Sequence, residues 1–174
     1  MMNRRGAVKN LVAAYSGLIS LPFWMQACGI ADKETHQTTF SSEEQSVLAK
    51  ITDTIIPAGN SIGALSVGVD KFLQKLLDDC YEKPVQDNVK NQLKQLEIFA
   101  QKNYSKSFAS CSQHEREQLL LNFSTSQNKN EKDFFDLLKN ETIRGFNTSQ
   151  KVMQEYLDYK VAPGHYYGCV KANT

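Results

Sequence analysis

The side chains able to do chemistry in this 174-residue sequence are few and scattered. Its three histidines, His36, His114 and His165, stand far apart, and none falls in the His-x-x-x-His or Cys-x-x-Cys spacing by which a zinc site gathers ligands. There is no Cys-x-x-Cys-His haem attachment. Gly63-Ala64-Leu65-Ser66-Val67-Gly68 sets glycines at phosphate-loop spacing, but Val69-Asp70 follows where a lysine and a hydroxyl residue are needed for phosphate and magnesium. Nor does any Gly-x-Gly-x-x-Gly fingerprint of a dinucleotide site occur. Asp78 and Asp79 are adjacent, and neighbouring side chains on a helix point about 100° apart, so the pair reads as a solvated face rather than an acid–base couple. The residues supply no catalytic, cofactor-binding or metal-binding set.

Two terminal stretches carry more information. Near the C-terminus, Pro163, Gly164, His165, Tyr166, Tyr167 and Cys169 combine backbone freedom with large amphipathic rings, a composition suited to a protein–protein contact; the competing reading is a tail folded over its own core. At the other end, Arg4, Arg5 and Lys9 form a basic stretch with no acid before Cys28, followed by the mildly apolar run Leu11–Leu21. As a helix that run rises about 16 Å, roughly half of a hydrocarbon core of about 30 Å. It reads as an export signal over residues 1–27 rather than a span, the alternatives being a short anchor or a buried N-terminal helix. The pair Arg4-Arg5 ahead of a weakly hydrophobic run is similar to a twin-arginine signal. Met25-Gln26-Ala27-Cys28-Gly29 is similar to a lipoprotein cleavage box, in which Cys28 would take acyl chains; an ordinary soluble secretory cleavage nearby is the other reading. Residues 28–40 then form a polar tether.

If Cys28 is the anchor, Cys80, Cys111 and Cys169 remain, an odd number for an oxidising compartment. One is left over after any internal bridge, and Cys169 in the terminal segment is the best placed to meet a partner.

The elements that hold these residues are helical. Ser41-Ser42-Glu43-Glu44 is a capping box, and Val47, Leu48, Ile51 and Ile55 follow at helical spacing until Pro57, predicting a helix over 42–56. A turn-rich loop, 58–63, precedes an apolar face from Val67 to Leu77. Pro84 suits the first position of a third helix, which carries Val89, Leu93 and Leu96 to about Tyr104. Ser112-Gln113-His114-Glu115 repeats the capping box ahead of Leu119, Leu120 and Phe123. Phe134, Phe135, Leu138, Ile143 and Phe146 mark a strongly apolar helix, and Ser149 is placed to cap a last one bearing Val152, Met153, Tyr156 and Leu157. No stretch alternates with period two and no hairpin turn signal occurs. The expectation is an all-α bundle of five to six helices over 41–174. With 20 basic against 19 acidic residues, no clustered positive surface is predicted, which argues against a nucleic-acid binder.

Four segments in this order resemble the gluconate 2-dehydrogenase subunit 3 family. They are Thr52-Asp53-Thr54-Ile55-Ile56-Pro57-Ala58; Gly63-Ala64 with Gly68-Val69 and Phe72-Leu73; Phe134-Phe135-Asp136-Leu137-Leu138-Lys139 with Thr142 and Gly145; and Pro163-Gly164-His165-Tyr166-Tyr167-Gly168-Cys169. The resemblance implies a chain without catalytic residues or a cofactor of its own. It implies a partner, a glucose-methanol-choline type flavoprotein that oxidises a sugar or sugar acid with FAD, and a c-type cytochrome that takes the electrons. It further implies a role in maturing that partner and in exporting it, folded, through the twin-arginine route to the periplasm, with Cys28 as the membrane attachment. The alternative is an independent exported helical lipoprotein acting as a binding module.

Overall fold

The computed structural model describes residues 38–162, 164, 168 and 169. Among the described residues there are six α-helices, two 3-10 turns and no strand. They are α1 (Ser42–Ile55), a first 3-10 turn (Ala64–Val67), α2 (Val69–Cys80), α3 (Lys83–Tyr104), a second 3-10 turn (Phe108–Ser110), α4 (Gln113–Ser124), α5 (Lys129–Asn147) and α6 (Gln150–Glu155). The export signal (Arg4, Arg5 and Lys9) and Cys28 lie outside the described residues, as does the tether up to residue 37. None of the described helices is long and apolar enough to cross a membrane.

Both capping boxes form as the sequence predicts. Ser41 Oγ accepts from Glu44 N–H at 3.2 Å while Glu44 Oε2 accepts from Ser41 N–H at 2.9 Å. The Ser112 and Glu115 pair repeats this at 3.3 and 2.6 Å, and the Ser112 backbone N–H holds the Glu115 carboxyl below the ordinary carboxylate range. Two further starts differ from expectation. Pro84 falls inside α3, which begins one residue earlier at Lys83. Ser149 occupies the cap position of α6, yet its hydroxyl donates back to Phe146 C=O at 2.7 Å instead of accepting from the new helix.

The core lies where α1, α2, α3 and α4 close around α5, which packs against all four. Leu48, Leu73, Leu77, Leu96 and Phe108 have no exposed surface. Each fully buried side chain of this size stabilises the fold by about 1.5–3 kcal/mol relative to exposure. Phe123 sits between Phe99 and Phe134, with ring centroids 5.8 and 5.7 Å apart. On α5 the buried residues Phe134, Leu138, Thr142 and Gly145 keep a helical period that defines the inward face. Ile143, predicted to join them, lies about one helical step of 100° away and is 39% exposed.

Packing begins inside the stretch read from the sequence as a tether, at its last two residues, because Phe40 is apolar and finds a place in the core. Phe40 is buried in the core, and Lys90 Nζ lies 5.0 Å from its ring centroid. Asp78 accepts from Thr39 N–H at 3.2 Å and from Thr39 Oγ1 at 2.6 Å. Lys90 Nζ donates to Thr39 C=O at 2.9 Å. The Asp78 carboxylate thus holds this part of the chain down on α2.

Candidate functional site

The first segment singled out in the sequence, around Asp53 and Thr54, sits at the C-terminal end of α1 and is organised by Arg116 of α4. Arg116 is buried. Its Nε donates to Thr54 Oγ1 at 2.8 Å and its Nη1 to Cys111 C=O at 2.8 Å. Nη2 donates to Gln113 Oε1 at 2.7 Å and to Asp53 Oδ2 at 3.2 Å. Gln113 Nε2 in turn donates to Thr54 C=O at 3.2 Å, so a carbonyl that the end of α1 leaves without an intrahelical partner is capped from α4. A planar guanidinium with five fixed donors suits such a junction; a lysine would satisfy one direction of it. Asp53 and Thr54 are therefore engaged in joining two helices. Arg116 is absent from the residues picked out by the sequence, although a signal exists: it stands three and four residues before Leu119 and Leu120, on the face they bury.

The glycine segments also resolve into packing. Ala64 N–H donates to Ile56 C=O at 2.9 Å, which closes the loop after α1. A Cβ at Gly63 would fall 2.5 Å from Ala58 N, so only glycine fits that closure. Gly68 takes φ +73°, the left-handed region, where the first 3-10 turn gives way to α2. At Gly145 a Cβ would lie 2.6 Å from Phe72 Cδ1, so the Phe72 ring of α2 packs directly on the backbone of α5. These spacings are requirements of the fold rather than a cradle for phosphate.

Other polar groups also serve the packing of helices. Tyr81 OH donates to Glu141 Oε1 at 2.9 Å, and Arg144 Nε lies 2.7 Å from Glu141 Oε2, tying α2 to α5. Burial, followed by the Glu141 carboxylate, pushes the Tyr81 hydroxyl above its ordinary pKa. Of the cysteines, Cys111 is buried, and burial raises its thiol pKa; Cys80 and Cys169 are exposed, and all three are free. His114 is exposed. Among the described residues no group of three or more His, Cys, Asp or Glu side chains is placed to hold a metal ion.

The surface is different at the end of the described chain. The sequence puts Tyr156 and Leu157 on the apolar face of the last helix, but α6 stops at Glu155. Tyr156 and Leu157 N–H both turn back to Val152 C=O, at 3.0 and 3.1 Å, and Tyr159 N–H reaches Met153 C=O at 2.8 Å across Asp158, whose φ is +47°. That left-handed reversal ends the helix. It leaves Tyr156, Leu157, Tyr159 and Val161 all at least half exposed, a run of apolar side chains that the bundle does not use. Of the predicted contact residues, Gly164 (φ +77°) and Cys169 are exposed, whereas Pro163, His165, Tyr166 and Tyr167 lie outside the described residues.

No match to the chain is found among curated proteins or among solved structures. One family model matches, gluconate 2-dehydrogenase subunit 3, over residues 42–164, which takes in all six helices and the exposed run after them. Spanning well over half of the sequence, that match places the chain in the gluconate 2-dehydrogenase subunit 3 family.

Proposed function

We propose that this chain is the non-catalytic small subunit of a periplasmic, membrane-associated, FAD-dependent sugar or sugar-acid dehydrogenase, and that it assembles with the flavoprotein catalytic subunit and escorts it through the twin-arginine route. The observation that carries the reading is membership of a dehydrogenase-subunit family across the whole helical bundle. In this reading oxidation of the sugar and reduction of FAD belong to the partner, and a c-type cytochrome receives the electrons. The contribution of this chain is surface and address. Arg4, Arg5 and Lys9 direct export, and acyl chains on Cys28 hold the assembly at the membrane. The C-terminal run containing Pro163, Gly164, His165, Tyr166, Tyr167 and Cys169 meets the flavoprotein. Exposed aromatic and aliphatic side chains immediately before that run, at 156–161, fit the same role.

Purification of the native chain from membranes, followed by mass spectrometry and absorbance, tests this directly. The expected result is a larger flavoprotein retained with the chain, and dye reduction by sugar that needs both. Turnover by the purified chain alone would refute the non-catalytic assignment. Replacing Arg4 and Arg5 by lysine is expected to leave both proteins in the cytoplasm, and normal periplasmic dehydrogenase activity in that variant would refute the escort role.

A further inference from the structure

The bundle has two ends, and the chain enters at one and finishes its last helix at the other. At the entry, three helices grip Thr39 and Phe40. Phe40 is buried and its C=O accepts from Gln45 Nε2 of α1 at 2.8 Å; Asp78 of α2 binds Thr39 through backbone and hydroxyl; Lys90 Nζ of α3 donates to Thr39 C=O and Oγ1. Asp78 lies in the last turn of α2. The exit lies at the other end of the same helix. Val69 and Phe72, in the first turn of α2, stand against Gly145 near the end of α5. Ser149, Gln150 and Gln154 of α6 line one hollow with Ser66 and Val67, the turn from which α2 starts. The 12 residues of α2 therefore separate entry from exit, about 18 Å along the helix axis.

We infer that the two ends face different neighbours, the bilayer at the entry and the flavoprotein at the exit, so that this subunit holds its partner on the side away from the membrane. The inference rests on the anchoring and subunit roles proposed above. From Cys28 to Thr38 there are eleven residues, which at full extension reach about 36–40 Å. Because the clasp fixes Thr39 and Phe40, nothing beyond them adds to that reach. A folded domain of this size is about 35 Å across. Turning the exit toward the bilayer carries the entry to the far side of the domain, and the connecting residues must then span nearly their whole contour, which removes most of their conformational entropy. With the entry toward the bilayer they need not be stretched. The exposed side chains of Tyr156, Leu157, Tyr159 and Val161, which follow α6, then point away from the lipid.

The test uses the full acylated chain in phosphatidylcholine vesicles that carry an acceptor dye on their headgroups, with a donor dye on a single thiol. Cys80, exposed at the end of α2, reports the entry once Cys169→Ser is made; Val161→Cys with Cys80→Ser and Cys169→Ser reports the exit, and Cys111 is buried. Energy transfer is expected to be about twofold more efficient from 80 than from 161, given the length of α2 between the two ends. Inserting about twenty Gly and Ser residues between 37 and 38 is expected to bring the two efficiencies together. In the undyed chains, bound flavoprotein is expected to slow maleimide labelling of the thiol at 161 about tenfold and to leave Cys80 unchanged, since an interface core excludes solvent. Equal transfer from both positions, or more from 161, overturns the inference while leaving the subunit role intact. So does a difference that survives the insertion, because the bundle then rests on lipid by its own surface, and so does protection of Cys80 in place of 161. A native chain whose mass shows no acyl group on Cys28 removes the membrane attachment and the orientation together, and one that retains no flavoprotein removes the subunit role and the exit assignment together.

Discussion

Helix α1 with its two ends, and helix α6 with the residues after it, treat polar and apolar groups in opposite ways. At α1 the polar groups are bound by neighbouring elements. Thr39 is clasped by Asp78 and Lys90 at the start, Arg116 gathers Asp53, Thr54 and Gln113 at the finish, and the apolar face between them is buried against α2, α3, α4 and α5. At α6 only Val152 is buried, the helix rests chiefly on α5, and the chain from 156 to 161 presents tyrosine, leucine and valine to solvent. The bundle is therefore anchored around its first helix and leaves its last as a surface. The proposed role of binding another protein calls for both kinds of region, and the two are separated along the sequence.

The contrast is sharpest where a single side chain is removed. Phe40→Ala is expected to destabilise the fold by about 3–5 kcal/mol, because it empties a closed site; urea unfolding followed by circular dichroism measures this, and a loss under about 1 kcal/mol would mean that the clasp merely covers the bundle. Arg116→Ala should cost about 2–3 kcal/mol, since it leaves the Cys111 carbonyl and the Asp53 carboxylate without their donor. Arg116→Lys should recover only part of that loss, and full recovery in the same assay would show that charge rather than the guanidinium fork holds the junction. At the other end, Tyr156→Ser together with Leu157→Ser should shift stability by no more than about 0.5 kcal/mol. A larger drop would show that this end belongs to the core.

Much of the anchored region is legible in the sequence. Ser41 with Glu44 and Ser112 with Glu115 give the two capping boxes because each rests on contacts three residues apart, the range over which a sequence is unambiguous. The apolar periods of α1, α3 and α5 are equally plain. Where the structure departs from expectation, the physical cause is shared. Helical spacing assigns Tyr156, Leu157 and Ile143 to buried faces, but spacing tells which residues share a face and not whether anything covers it. The two 3-10 turns, at Ala64–Val67 and Phe108–Ser110, are too short to establish a period. Arg116 escapes notice because a charged residue on an apolar face reads as an edge, and its partners at 53 and 54 are about sixty positions away.

The contact between Gly145 and Phe72 reaches beyond the packing of two helices. With no room for a methyl group at 145 while a ring occupies 72, the two positions share one fixed volume. A bulkier residue on α5 fits only if the aromatic on α2 shrinks with it, whereas a smaller residue at 72 leaves Gly145 undisturbed, so a change at 145 should be found in company with one at 72 and not the reverse.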